Sequence, residues 1–349
     1  MTHLHTSEQQ QAETLLTLPH QLKAQLPLSN ALQIQISQHR QTIQNILDGT
    51  DHRLMVITGP CSIHDEQSAL EYAEKLKKLQ DQVADQIFLV MRAYIEKPRT
   101  TVGWKGFLYD PNLDDSSDMN QGLERSRALY IKIAELGLPI ASEILNPMAT
   151  AYFDDVLAWG AIGARTSESQ IHREISSHMP YSIGFKNGTD GSIQIALDAI
   201  QSASHSHQFM GMSQHGLPCM IHSQGNPKAH LILRGANSGP NFSLTEINQI
   251  KAKSKTELPA LVIDCSHGNS SKNPLLQPNV LEQIVAERLH THVRGVMLES
   301  HLVDGNQKIS ENMTYGQSVT DGCLGWEKTE QLLLNVAESL ARLNLKRSA

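Results

Sequence analysis

The chain has 349 residues and a formal net charge of −7, from 29 Lys and Arg against 36 Asp and Glu. That balance offers no general basic face to a phosphate backbone or an anionic bilayer, which argues against nucleic-acid and membrane partners and makes any preference for anions a local matter. The four cysteines, Cys61, Cys219, Cys265 and Cys323, form no CxxC pair, and no window approaches about 18 consecutive apolar residues, so a soluble, cytoplasmic protein is expected.

Beyond the polar start, Met1 to Ala12, Ser29 is placed to cap a helix whose apolar positions Leu32, Ile36, Ile43, Ile46 and Leu47 fall mainly on one stripe, with Gly49 as its stop. Residues 1–50 therefore read as an extension that plugs the bottom of a domain or packs on a neighbouring subunit. Eight short apolar runs follow: Leu54–Gly59, Ile87–Arg92, Leu138–Glu143, Gly160–Arg165, Tyr181–Lys186, His230–Arg234, Leu261–Asp264 and Gly295–Glu299. Most are separated by helical patterning, which predicts a (β/α)8 TIM barrel over residues 51–349; such barrels take about 250 residues before insertions. Between the fifth and sixth runs, at about 208–224, two alternating segments flank His215-Gly216 and predict an inserted β-hairpin.

The tails of these runs carry the chemistry, because a closed parallel barrel gathers them at its C-terminal mouth. Alone, Cys61 reads as a small packed thiol and His267 as a hydrogen-bonded core histidine. With Glu299 they end or follow strands one, seven and eight, which are adjacent once the barrel closes, and Asp321 can complete the set from the last loop. One thiolate, one imidazole and two carboxylates suit a divalent transition ion such as Mn2+, Fe2+, Co2+ or Zn2+, and suit Mg2+ or Ca2+ poorly.

Arg92, Arg165, Lys186 and Arg234 end other strands, expected on the wall opposite that metal site. Four cations at equivalent strand ends of an acidic protein repel one another unless an anion is bound, and arginines favour a small body carrying phosphate and carboxylate. The Lys97-Pro98-Arg99-Thr100 loop can serve a second anion or a developing alkoxide, while Glu143 can orient a water or neutralise an arginine. Cys323, two residues after Asp321, can share its face, so oxidation is expected to join it to Cys61.

The segments GPCSIHD (Gly59–Asp65), MRAYIEKPRTTVGWKG (Met91–Gly106), WGAIGARTSESQIHRE (Trp159–Glu174), GFKNGTDGS (Gly184–Ser192), LILRG (Leu231–Gly235), VIDCSHGNSSK (Val262–Lys272) and YGQSVTDGCLGWE (Tyr315–Glu327) closely resemble the class I alpha-type 3-deoxy-D-arabino-heptulosonate 7-phosphate (DAHP) synthases. The resemblance runs in order over essentially everything beyond the extension. It implies condensation of phosphoenolpyruvate with D-erythrose 4-phosphate, the entry step of the shikimate pathway to aromatic amino acids. It also implies that Cys61, His267, Glu299 and Asp321 hold the metal. Arg92, Arg165, Lys186 and Arg234, with the backbone of Ala164, would hold phosphoenolpyruvate, and Lys97, Pro98, Arg99 and Thr100 would line the erythrose 4-phosphate side. The expected catalytic groups are Lys97, as proton donor to the new alkoxide, Glu143, which would hold the attacking water unless the metal does, and Lys186. A homo-dimer or homo-tetramer is expected.

Family members are commonly inhibited by an aromatic amino acid in a pocket formed by the extension, the hairpin and the loops near Pro147–Ala151 and His178–Tyr181. Here Met148-Ala149-Thr150-Ala151 and Met179-Pro180 depart from the family's usual residues. Phe209, Gly211 and Gln224–Pro227 look like tyrosine-sensitive members, whereas Tyr315–Glu327 looks like tryptophan-sensitive ones; tyrosine is preferred, with Ala151, Met179, Pro180, Phe209 and Gly211 as effector residues. The competing readings are a sister enzyme using arabinose 5-phosphate, a Schiff-base aldolase with Lys186 as nucleophile, and a barrel kept only as an amino-acid sensor.

Overall fold

The computed structural model describes residues 13–99, 101–254 and 258–348. The extension holds α1 (Pro19–Gln25) and α2 (Asn30–Asp48). The Ser29 hydroxyl accepts the N–H of Leu32 at 3.2 Å, satisfying a first-turn donor, and Gly49 ends the helix at φ 79°, a left-handed conformation that glycine adopts without cost. All five residues of the apolar stripe are buried. Ile43, Ile46 and Leu47 enter the same apolar cluster as Met55, Ile57, Trp159, Ile232, Val262 and Met297 of the barrel interior, so α2 plugs the bottom of the barrel. Each such side chain contributes about 1.5–3 kcal/mol of burial. Arg40 anchors the plug by donating from Nε to the Leu157 carbonyl at 2.9 Å and from Nη2 to the Asp154 carbonyl at 2.6 Å.

The strands are β1 (Leu54–Gly59), β2 (Ile87–Arg92), β3 (Ile140–Glu143), β4 (Trp159–Ile162), β5 (Ser182–Lys186), the hairpin pair β6 (Gln208–Met212) and β7 (Pro218–His222), then β8 (His230–Leu233), β9 (Leu261–Asp264), β10 (Val293–His301) and the short β11 (Leu324–Gly325). The helices that follow α2 are α3 (Glu66–Val83), α4 (Met119–Glu135), α5 (Thr150–Phe153), α6 (Gln170–Ser176), α7 (Gln194–Ala203), α8 (Leu244–Lys253), α9 (Gln277–Thr291) and α10 (Trp326–Ser348). Parallel pairing runs β1-β2-β3-β4-β5-β8-β9-β10 and closes through β1–β10, with Met55 to Gly59 opposite Gly295 to Glu299. This is a (β/α)8 barrel, and β6 pairs antiparallel with β7 outside it, between the fifth and sixth barrel strands. Barrel strands are covered on both faces, which is why their sequences read as unbroken apolar runs.

Five strands, β3, β4, β5, β8 and β10, differ in their bounds from the runs read in sequence, and the two whose C-terminal ends shift by more than one residue, β4 and β10, bear on the mouth. β4 stops at Ile162 because the N–H groups of Thr166 and Ser167 turn back onto the Gly163 carbonyl at 3.0 and 3.1 Å, leaving Arg165 exposed in a turn. β10 runs on to His301 because Ser300 and His301 pair with Leu324 and Gly325, which folds the last loop back over the mouth.

Candidate active site

A cavity of about 480 Å³ opens at the C-terminal ends of the strands. Cys61, at the turn after β1, Glu299 on β10 and Asp321 in the last loop bring their ligand atoms within 4.8 Å of one another. His267 lines the same cavity, held at φ 55° at the start of a 3-10 turn. Its Nδ1 lies 2.7 Å from the Ser266 hydroxyl and 3.0 Å from Asp264 Oδ2, an orientation that leaves Nε2 as the donor for a metal. Cys61 and Glu299 are buried, Asp321 is exposed and half-buried His267 stands outside the group of three; a soft thiolate, an imidazole and two carboxylates fit a divalent transition ion. Gln277, at the start of α9, fixes the end of β10 from behind: its Oε1 accepts the Glu299 N–H at 2.8 Å and its Nε2 donates to the Glu299 carbonyl at 2.9 Å.

The charges here are paired, as buried charges must be. Lys97 donates to Asp321 Oδ2 at 2.7 Å and to Cys61 Sγ at 3.0 Å. Burial works against the Lys97 ammonium, but Cys61, Asp321 and Glu299 hold its pKa above the usual lysine value. Burial acts against the Asp321 carboxylate too, and Lys97 nevertheless holds it below the ordinary range. Burial, followed by the carboxylate of Glu299, pushes the Cys61 thiol up.

Arg92 stands beside these donors rather than across from them, contrary to the reading from sequence. The reason is register: β2 pairs with β1, and β1 pairs with β10, so the end of β2 lies one strand from Cys61 and two from Glu299. Arg92 Nη2 donates to Glu299 Oε1 at 3.1 Å and to the Cys61 carbonyl at 3.0 Å, and its guanidinium lies 3.6 Å from the centre of the Tyr94 ring. Lys186 donates to Asp264 Oδ2 at 2.7 Å. Burial opposes the Asp264 charge, yet Lys186 and His267 hold its pKa well below the carboxylate range. Burial lowers the pKa of Arg234, which lines the cavity with Arg165, Ala164 and Glu143.

Lys97, Pro98 and Arg99 form one rim of the cavity; Thr100 lies outside the described residues. The expected effector residues lie elsewhere, and none of Ala151, Met179, Pro180, Phe209 and Gly211 lines this cavity. Ala151 on α5, Met179 after α6 and Phe209 on β6 are buried, Gly211 is half-buried and Pro180 is exposed. Asp264, Tyr94 and Gln277 were not singled out in sequence. Asp264 had the best signal, a charged residue closing the apolar run LVID.

Residues 31–334 match the DAHP synthetase I family. The Tyr-sensitive phospho-2-dehydro-3-deoxyheptonate aldolase of Salmonella typhimurium is 46% identical over 336 residues, 94% of each chain. A Trp-sensitive aldolase of the same name from Enterobacter agglomerans is 46% identical over 333 residues, 93% of this chain and 95% of its own. The solved phospho-2-dehydro-3-deoxyheptonate aldolase of Francisella tularensis superposes with a TM-score of 0.92 at 44% identity, over 95% of this chain and 98% of that one.

Proposed function

This chain belongs to the DAHP synthetase I family, and from that premise we propose how its own residues carry the reaction. The reaction joins phosphoenolpyruvate, D-erythrose 4-phosphate and water to 3-deoxy-D-arabino-heptulosonate 7-phosphate and phosphate, the first step of the shikimate pathway. The observation that carries the assignment of roles is the gathering of Cys61, Glu299 and Asp321 in one cavity with Arg92, Arg165, Lys186 and Arg234. Arg92, Arg165, Lys186 and Arg234, with the backbone of Ala164, bind phosphoenolpyruvate through its phosphate and carboxylate. Lys97, Pro98 and Arg99 receive erythrose 4-phosphate.

A divalent ion held by Cys61, His267, Glu299 and Asp321, with Mn2+, Fe2+, Co2+ and Zn2+ as the candidates, supplies Lewis-acid polarisation of the aldehyde when bound. The methylene carbon of phosphoenolpyruvate attacks the aldehyde carbon, and Lys97 delivers a proton to the alkoxide that forms. Glu143 holds the water that adds to the carbon bearing phosphate, from which phosphate then leaves. The surrounding arginines and Lys186 hold the phosphoenolpyruvate anion in place throughout.

Tyrosine is the proposed effector. In support of an effector site of some kind, the extension, hairpin and end of α5 meet outside the mouth: His20 N–H donates to the Gln214 carbonyl at 2.9 Å, Lys23 reaches Gln214 Oε1 at 2.9 Å and Asp154 at 2.5 Å, and Tyr152 donates to the Thr17 carbonyl at 2.8 Å. Residues 1–50 then serve regulation or oligomerisation, in a homo-dimer or homo-tetramer working in the cytoplasm. No helix among the described residues is long and apolar enough to cross a membrane.

The deciding experiment follows phosphoenolpyruvate consumption by chelator-stripped protein with and without erythrose 4-phosphate, before and after adding Mn2+, and then titrates Tyr, Trp and Phe separately. Turnover requiring both the aldose and the ion is expected, with tyrosine inhibiting. Metal-independent turnover with borohydride trapping at Lys186 would replace this reading with a Schiff base, and insensitivity to all three amino acids would remove the regulatory part.

A further inference from the structure

Glu96 is 4% exposed and takes no part in the chemistry above, although it directly precedes Lys97. Its Oε2 accepts the backbone N–H of Asn146 at 3.3 Å, and its Oε1 is buried without a partner. Asn146 in turn donates from Nδ2 to the Tyr109 hydroxyl at 2.9 Å, so that Asn146 links Glu96 and Tyr109 across three segments. Those segments are the tail of β2, the turn holding Tyr109 and the tail of β3.

The place of this link in the chain gives it meaning. The loop carrying Lys97, Pro98 and Arg99 leaves from Glu96 and returns at Gly106 to Tyr109. Its base is laced by the Lys97 N–H to the Lys105 carbonyl at 2.9 Å and the Leu108 N–H to the Ile95 carbonyl at 3.0 Å. Those bonds join the two ends of the loop to each other but not to the barrel. Glu96 ties the start of the loop to the β3 tail at Asn146, and the Asn146 side chain carries that tie on to the returning end at Tyr109.

We propose that Glu96 is a positioning residue that fixes the base of the Lys97–Arg99 loop against the β3 tail and so sets the geometry of the aldose side of the site. The inference rests on the assignment of that loop to erythrose 4-phosphate. Burial, with the nearby charge of Glu143 adding to it, pushes the Glu96 carboxyl up to about 8, so the group is largely neutral at pH 7 and glutamine is its nearest isostere. A tether of this kind acts on placement. Displacing a reacting group by about 1 Å costs on the order of a hundredfold in rate, whereas the phosphoenolpyruvate cations at the ends of β2, β5 and β8 do not depend on the loop.

The test measures kcat and the KM of each substrate for E96A, E96Q, Y109F and R99A in the Mn2+-loaded full-length protein. The expected result is a rise of about tenfold or more in the erythrose 4-phosphate KM of E96A, an unchanged phosphoenolpyruvate KM, and near-complete rescue in E96Q. Y109F removes one partner without opening a cavity, and a smaller rise of about threefold in the same KM is expected there, which keeps the test decisive if E96A does not fold. Equal changes in both KM values, or E96Q as impaired as E96A, would overturn the inference and leave Glu96 a packing residue. If R99A raises the erythrose 4-phosphate KM while E96A and Y109F do not, the inference fails and the loop assignment stands. If none of them does, both fail together.

Discussion

Gly235 is where the loop carrying Arg234 meets the loop carrying His267, so a single methyl group there should disturb both anion and metal binding. Gly235 sits at φ 72°, and a Cβ on it would fall against the carbonyl carbon of Gly268 and 2.5 Å from the Asn269 nitrogen. Both neighbours are backbone, and the Gly268 N–H already donates to the Arg234 carbonyl at 3.0 Å. Since non-bonded heavy atoms settle at about 3.5–4.0 Å, the loops must part by about 1 Å. The left-handed conformation adds about 1–2 kcal/mol of strain for any residue with a Cβ. Gly235→Ala should therefore lose stability by that amount or more and lower kcat/KM by about a hundredfold, which is about 2.7 kcal/mol of transition-state stabilisation. Steady-state kinetics, metal titration and thermal melting of the variant read the three effects. Gly239→Ala is the control, because φ is 147° there and no atom lies within 4 Å of the added Cβ, leaving conformational cost without a clash. A folded Gly235→Ala protein whose kcat/KM and metal affinity stay within threefold of the parent would refute the reasoning, as would equal damage from the control.

Asp264→Asn should raise the phosphoenolpyruvate KM and weaken metal binding by about 10–100-fold, since the carboxylate holds both Lys186 and the His267 ring; unchanged metal affinity would show that Asp264 does not orient His267. His230 is buried in the barrel with its Nε2 accepting the Trp159 indole N–H at 3.1 Å, and burial drops its pKa to about 4. The unfolded ring, with a pKa of about 6.5, binds a proton more readily than the native one, so this contribution is full above about pH 6.5 and falls by about 3 kcal/mol as the pH drops to about 4. His230→Gln keeps an acceptor for Trp159 and should flatten the acid limb of melting temperature against pH; a limb as steep as the parent's would refute it. Cys61 and Cys323 adjoin, the Cys61 N–H lying 3.4 Å from Cys323 Sγ, so an added oxidant that accepts two electrons and two protons should join their sulfurs and abolish activity. Peptide mapping that finds both thiols free in oxidised, inactive protein would count against this.

Features that depend on local pattern were legible in the residues alone. Eight apolar runs mark the barrel strands, Ser29 and Gly49 bound α2 within a residue, and the stripe from Leu32 to Leu47 names its buried face, because capping chemistry and helical periodicity are written within a few residues of where they act. The polar strand ends were legible for the same reason: a charge closing an apolar run has few places to go except a shared mouth. Which residues stand next to which had to wait for the closed barrel. Arg92 lies against Glu299 rather than across from it because β1 separates β2 from β10 in the closed ring, which no spacing along the chain reveals. Asp264 proves to be the common partner of Lys186 and His267, and Glu96, one charge among several in a polar loop, proves to be buried with its carboxylate on the Asn146 N–H. Pairing of charges is settled by distances of about 3 Å between residues far apart in sequence, and such distances exist only once the barrel has closed.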